Sequence, residues 1–145
     1  MLIRSLSRLE CTSLLAANRF GHLACARDGQ PYVVPVFFAY EDNRLYSFSM
    51  LGKKIDCMRA NPLVSFIVEE RTNGRQWKSV VVDGRYEELA ERPQRDVAWR
   101  LLSKDPDWWE PGGWKPETPP VLDHSDHIFF RIIVDRLSGR ESQTT

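Results

Sequence analysis

Phe20-Gly21-His22-Leu23-Ala24-Cys25-Ala26-Arg27-Asp28-Gly29-Gln30-Pro31-Tyr32-Val33-Val34-Pro35-Val36-Phe37-Phe38-Ala39-Tyr40 is the stretch that decides the architecture. Residues 20–26 read as a strand, Asp28-Gly29 is a tight hairpin turn, and residues 32–40 follow as the return strand. Tyr32, Val34, Val36, Phe38 and Tyr40 share one face of that strand, and Val33, Pro35, Phe37 and Ala39 share the other. Both faces are apolar, which predicts that both are covered, as in a barrel wall backed by a helix or a second subunit. Pro35 has no amide hydrogen to give to a ladder, so its edge must face something other than a neighbouring strand. A flat ligand would satisfy it, although a sheet edge or bulge is the commoner reason.

Outward from this hairpin the periods alternate. Residues 7–17 carry a short amphipathic helix, with Ser5 or Ser7 as N-cap and Asn18 at its end. After the hairpin, Glu41-Asp42-Asn43-Arg44 turns the chain into a strand over 45–49. Helical spacing of Leu51, Ile55 and Met58 predicts a helix over 52–60, stopped at Asn61-Pro62. Strands over 63–69 and 77–89 flank an Asn73-Gly74 turn, and the second is expected to bulge at Asp83-Gly84. A helix over 91–102 follows, then a proline-rich extended loop over 105–123 and a last strand over 128–134. The fold class is therefore mainly β (α+β), with six antiparallel strands and two to three flanking helices. Connections this short make hairpins rather than parallel crossovers, and a small closed or nearly closed barrel is the expected architecture. A chain of 145 residues is expected to form a single domain, 1–145.

Composition narrows the partners. Twenty basic side chains balance twenty acidic ones, which argues against nucleic acid. The three cysteines Cys11, Cys25 and Cys57 lack any C-x-x-C spacing and fit a reducing compartment; Cys25 and Cys57 read as small core fillers. No apolar run approaches the roughly 18 residues of a membrane span, and no secretory leader is evident, so a cytoplasmic location is expected.

Chemistry concentrates at Ser47-Phe48-Ser49-Met50-Leu51-Gly52-Lys53-Lys54. There a strand ends in hydroxyls, turns at glycine and opens a helix with two lysines. Free amides and the dipole make a helix start attractive to anions. Two cations at that end suggest a negative group opposite them, while a solvated lysine pair explains the spacing equally well. Trp99, Trp108, Trp109 and Trp114 fall close together and suit a planar ligand, a subunit partner or packing across the barrel mouth. His124-x-x-His127, flanked by Asp123 and Asp126, has ligand-type residues but reads as solvated, so no metal is expected. Nucleophile-elbow, phosphate-loop and dinucleotide signatures are lacking, and no catalytic residue is assigned; His22 and Tyr32 are the first titratable groups to consider.

The order of these pieces resembles the pyridoxamine 5′-phosphate oxidase-like, FMN-binding split barrels, nearest the short nitroimidazole-reductase-type branch. The carriers of the resemblance are Gly21-His22-Leu23-Ala24, residues 28–36, Leu45-Tyr46-Ser47-Phe48-Ser49, Gly52-Lys53-Lys54, Asn61-Pro62, Val64-Ser65-Phe66, residues 77–84 and residues 136–140. The resemblance implies a homodimer with FMN in two clefts at the subunit interface, acting as a flavin-dependent oxidoreductase on a small molecule. It places the flavin phosphate at Ser49, Lys53 and Lys54. The ring system falls along Val34, Pro35 and Val36, with Ser47 and Phe48 beneath it, and Trp77 and Ser79 border the flavin or the partner's cleft. Nitroimidazole reductases carry histidine where this chain has Phe48, which points away from their chemistry. An Arg-x-His segment of the vitamin B6 oxidases is missing from the C-terminal part. A flavin carrier or sensor, a related barrel holding haem or deazaflavin, and a cofactor-free interaction module are the competing readings.

Overall fold

The computed structural model describes residues 2–104 and 127–143. Eight strands and three helices run in the order β1 (Leu2–Ser5), α1 (Arg8–Ala17), β2 (Phe20–Arg27), β3 (Gln30–Phe37), β4 (Ala39–Glu41), β5 (Arg44–Met50), α2 (Lys53–Ala60), β6 (Leu63–Arg71), β7 (Trp77–Glu88), α3 (Arg92–Leu102) and β8 (His127–Gln143). They form one antiparallel sheet in the order β3-β2-β6-β7-β8-β5-β4, with β1 added to the far end of β8. The two ends of this order, β3 and β4, are consecutive in the chain and meet at Phe38, which is 1% exposed. The sheet therefore curls on itself into a split barrel. Across the split, the Ser47 hydroxyl on β5 donates to the Phe37 carbonyl at 2.6 Å.

The strand count corrects the expectation of six. Residues 32–40 divide at Phe38, and β1 adds a strand whose residues are all exposed. The last strand does not stop at Val134 but continues to Gln143. Its second half lacks apolar alternation and is held by pairing with β7 on one side and β1 on the other. Gly139 is needed there: a Cβ would lie 2.6 Å from Cys11 Sγ of α1, which packs directly on the strand. The irregularity expected at Asp83-Gly84 is present, but the extra residue, Asp135, belongs to β8. Asp83 pairs with Arg136 and Gly84 with Val134.

Asp28 and Gly29 both adopt positive φ, 52° and 78°, giving a type I′-like turn closed by the Arg27–Gln30 pair. Hydrogen-bonded and non-hydrogen-bonded pairs alternate from that closing pair. Pro31 and Pro35, opposite Ala26 and His22, then fall at non-hydrogen-bonded positions, where a missing amide faces the open edge of β3. The proline spacing is thus matched to an edge strand. Among the described residues, coverage on both faces is not found: Val33 is 60% exposed and Pro35 is exposed, while Val36 is buried.

Two apolar clusters hold the layers. Inside the barrel, Leu23, Phe38, Leu45, Phe66, Val80 and Phe130 pack with Leu15 of α1 and with Ile55 and Met58 of α2. Outside it, Ala98, Leu101 and Leu102 of α3 cover Ala39, Tyr46 and Phe129. The proline-rich loop, its three tryptophans, Asp123, His124 and Asp126 lie outside the described residues, as does the His127 side chain. None of the helices among the described residues is long and apolar enough to cross a membrane.

The start of α1 shows how the ends of the chain are tied. Ser7 Oγ accepts from the Glu10 amide at 3.2 Å, and Glu10 accepts from the Ser7 amide at 2.9 Å, a reciprocal capping box. Arg4 donates to Glu10 at 2.7 Å and to Glu141 of β8 at 2.8 Å. The Arg4 guanidinium, and then the Ser7 amide, hold the Glu10 carboxyl at about 2, well below its ordinary 4.5. A carboxyl depressed by folding contributes stability above its ordinary value and loses it as pH falls through the folded one. Glu10→Gln is therefore expected to be less stable than wild type at pH 7 and to converge with it near pH 2, read as melting temperature against pH. A gap that stays constant across that range would refute the assignment.

Candidate functional site

Helix α2 forms because Ile55, Cys57 and Met58 turn one buried stripe onto the barrel, with Arg59 in the last turn. Its C-terminal end is fastened. Arg59 makes two bonds to Glu88 of β7, at 2.8 and 3.1 Å, and Tyr86 donates to the same carboxylate at 2.8 Å. Asn61 Nδ2 donates to the Ala26 carbonyl at 3.0 Å. The bonds from Arg59, and secondarily from Tyr86, keep the Glu88 carboxyl below its usual range; burial and the Glu88 bond push the Tyr86 hydroxyl above its own.

The N-terminal end is built differently. Gly52 precedes the helix with extended backbone and makes no side-chain cap, so among the described residues the first-turn amides have no side-chain acceptor. A Cβ on Gly52 would meet nothing within 4 Å, which leaves this end open for a ligand. Lys54 Nζ donates to Ser49 Oγ at 2.7 Å, and Ser49, 5% exposed, donates in turn to the Met50 carbonyl at 2.7 Å. Burial lowers the Lys54 pKa, and among the described residues no carboxylate pairs with this half-buried ammonium. A desolvated cation served only by a hydroxyl is electrostatically incomplete, and an oxyanion would complete it. Lys53 lies with its Nζ 4.5 Å from the centroid of the Tyr32 ring on β3.

The structure gathers some of the sequence-derived residues and separates others. Ser47 and Ser49 point to the barrel side of β5, near Lys54, and Val34 and Val36 face the same interior from β3. Pro35 faces outward. Phe48 lies on the opposite face of β5 from the two serines, packed on Phe129 with ring centroids 5.0 Å apart. Trp77 and Ser79 are remote. Ser79 pairs with Arg140 of β8, whereas Ser49 pairs with Ile128. Those partners are separated by about 40 Å of strand, at ~3.3 Å per residue before curvature. Trp77 is engaged there through its amide, which donates to Ser142 Oγ at 3.0 Å.

Sequence reasoning missed the cleft beside Lys53. It has a volume of about 500 Å³ and is lined by Arg27, Asp28, Gln30 and Tyr32 from the hairpin and by Gly52, Lys53, Asp56 and Cys57 from the α2 region. The available signal was the Asp28-Gly29 turn, which fixes the register that places Gln30 and Tyr32 along this edge. Cys25 and Cys57 are both buried, and burial together with the Cys57 thiol pushes the Cys25 thiol up to about 12. Neither the burial nor that shift suits a thiolate nucleophile. Among the described residues no group of three or more His, Cys, Asp or Glu is arranged to hold a metal.

Comparison with known proteins places this geometry. The family model described as pyridoxamine 5′-phosphate oxidase matches residues 7–141. An uncharacterized protein of Rhizobium meliloti is 51% identical over 144 residues, covering 97% of this chain and 95% of that protein. A crystal structure of an FAD-binding protein from Mesorhizobium loti superposes with a TM-score of 0.80 at 57% identity, covering 99% of this chain and all of that one (100%). An FAD-binding protein from Mycobacterium smegmatis shares the fold, with a TM-score of 0.72 at 19% identity over 98% of this chain and 100% of that one.

Proposed function

Because the chain belongs to the pyridoxamine 5′-phosphate oxidase family, we propose that it is a flavin-binding protein that holds FMN, alone or as the FMN half of FAD, and works as a flavin-dependent oxidoreductase on a small molecule. The observation that carries this reading is the half-buried Lys54 ammonium beside the start of α2, matched among the described residues only by the Ser49 hydroxyl. Lys54, the first-turn amides of α2 and Lys53 would hold the phosphate, with Ser49 orienting Lys54. Val34 and Val36 supply an apolar wall, and the Ser47–Phe37 bond keeps β3 and β5 at a fixed separation beside it. The FAD-binding protein from Mesorhizobium loti supports flavin as the ligand class. When bound, the flavin supplies hydride and electron transfer, while the protein contributes binding, orientation and exclusion of water.

The same reading includes a homodimer. The exposed outward face of β3, with Val33 and Pro35, is covered by a second copy, and Trp77 and Ser79 reach the cleft of the opposite subunit, not their own. This gives the apolar outward face and the separation along β8 one explanation.

The test is an absorption spectrum of the freshly purified protein and of the supernatant after heat release, with sedimentation of the same sample. Flavin bands that travel with a dimer and appear free on heating are expected, with reduction by NADH or NADPH and reoxidation by a specific acceptor. Flavin that binds but only autoxidises slowly would make the chain a carrier or sensor. A Soret band, or a colourless protein that takes up no added flavin, would refute the flavin reading.

A further inference from the structure

The interior holds a pair of groups that flavin binding does not use. Cys25 of β2 and Cys57 of α2 are each 4% exposed, and the two thiols meet in a side-chain hydrogen bond. The surrounding chain holds them together. Asn61 Nδ2 donates to the carbonyl of Ala26, the residue after Cys25, at 3.0 Å. The Asn61 amide donates to the Cys57 carbonyl at 2.9 Å, so one residue ties the last turn of α2 to β2 beside both sulfurs. The two Arg59–Glu88 bonds fasten the same end of the helix to β7. Cys57 also lines the cleft of about 500 Å³ beside Lys53, which is ample for a small solute. Cys11 provides the contrast, because its sulfur lies on α1 against Gly139 of β8.

We propose that Cys25 and Cys57 form a peroxide-sensitive dithiol, whose oxidation to a disulfide locks α2, the helix that opens with Lys53 and Lys54, onto β2. The oxidant is hydrogen peroxide, which enters by the cleft. The Cys57 sulfur gives up its proton and attacks one peroxide oxygen. The O–O bond breaks, the displaced hydroxide leaves with that proton as water, and Cys57 becomes a sulfenic acid. The Cys25 sulfur then attacks the Cys57 sulfur, the S–O bond breaks, and a second water carries off the Cys25 proton. In all, two thiols lose two electrons and two protons, and one peroxide becomes two waters. Burial and the neighbouring Cys57 thiol keep Cys25 protonated, which suits the resolving partner and not the first nucleophile. The same burial slows the reaction and excludes turnover, but a lock that closes once needs none. The new bond closes a loop over residues 26–56 and so restricts the unfolded chain, which makes the oxidised form the more stable. Thiol reductants reopen it by exchange.

The experiment treats fully reduced wild-type protein with hydrogen peroxide and removes the excess with catalase. Free thiols are then alkylated in denaturant with N-ethylmaleimide, and the peptides are mapped by mass spectrometry. The expected result is maleimide on Cys11 alone and a Cys25–Cys57 cross-linked peptide that dithiothreitol reopens. The oxidised protein should melt about 5 °C or more above the reduced one. Cys25→Ser should stop the reaction at a Cys57 sulfenic acid that dimedone traps, and Cys57→Ser should leave Cys25 unmodified. The wild-type map decides the matter even where a serine variant fails to fold. Three alkylated cysteines, a link through Cys11 or between chains, or conversion of wild-type Cys57 to sulfinic acid would overturn the proposal. Equal melting temperatures for the oxidised and reduced forms would overturn it as well. None of these measurements requires a bound flavin, so the flavin reading stands or falls separately.

Discussion

Lys54→Met is expected to weaken FMN binding about 10- to 150-fold, the loss that follows when a charge-assisted contact worth ~1.5–3 kcal/mol is removed. The same substitution is expected to leave the ligand-free protein as stable as wild type or more so. Methionine, one atom shorter than lysine, keeps the apolar stem and removes the ammonium, whose burial opposes its charge. The pH dependence separates the two effects. A lysine whose pKa is lowered by folding binds its proton more weakly in the native state, so it penalises folding while charged and relieves the penalty as pH rises toward its ordinary value. Wild-type protein without flavin should therefore gain stability toward alkaline pH relative to Lys54→Met, and added FMN should reverse the order of the two at neutral pH. FMN affinity within twofold of wild type would show that the phosphate is not at Lys54.

Gly84→Ala is expected to cost about 3 kcal/mol, the upper end of overpacking in a well-filled interior, and to lower the melting temperature by about 10 °C for a chain of this size. The new Cβ would lie 2.4 Å from the Ile133 carbonyl oxygen and 2.7 Å from Ile132 Cγ2. Neither can retreat cheaply. Ile133 is paired with Arg85 on one side and Arg44 on the other, and Ile132 is 1% exposed in the barrel core. Gly84 also sits where Asp135 is inserted into β8, so the contact cannot be relaxed by sliding the register without moving the Arg85–Asp135 ion pair. Gly52→Ala is the control, because its Cβ meets nothing within 4 Å and its backbone is extended. Equal melting temperatures for Gly84→Ala and wild type would mean that β7 and β8 are not packed this closely.

The parts of the fold that sequence revealed are those carried by local chemistry. Asp28-Gly29 predicted the hairpin, and both residues adopt the positive φ that the turn requires. Ile55 and Met58 predicted α2, and both are fully buried. Lys53 and Lys54 were placed at a helix start by a glycine and a change of period, and that is where they stand. Residues 135–143 were not recognised as strand, because their order follows from two flanking strands and not from their own alternation. Alternation alone puts Phe38 on one face of a continuous strand over 32–40. In the structure it is the corner at which the sheet turns from one edge to the other.

The candidate site divides along the same line. Period-two alternation and the spacing of a single helix turn are properties of neighbouring residues, so the chain alone established which side chains share a face and which open α2. It could not show that Lys54 is desolvated and linked to Ser49, nor that Phe48 turns away toward Phe129. It also could not reveal a cleft beside Lys53 or the distance of Trp77 and Ser79 from Ser49. These depend on how far the sheet curls and which strands become neighbours. Sheet curvature and pairing are set by contacts between residues far apart in sequence, and no local pattern encodes them.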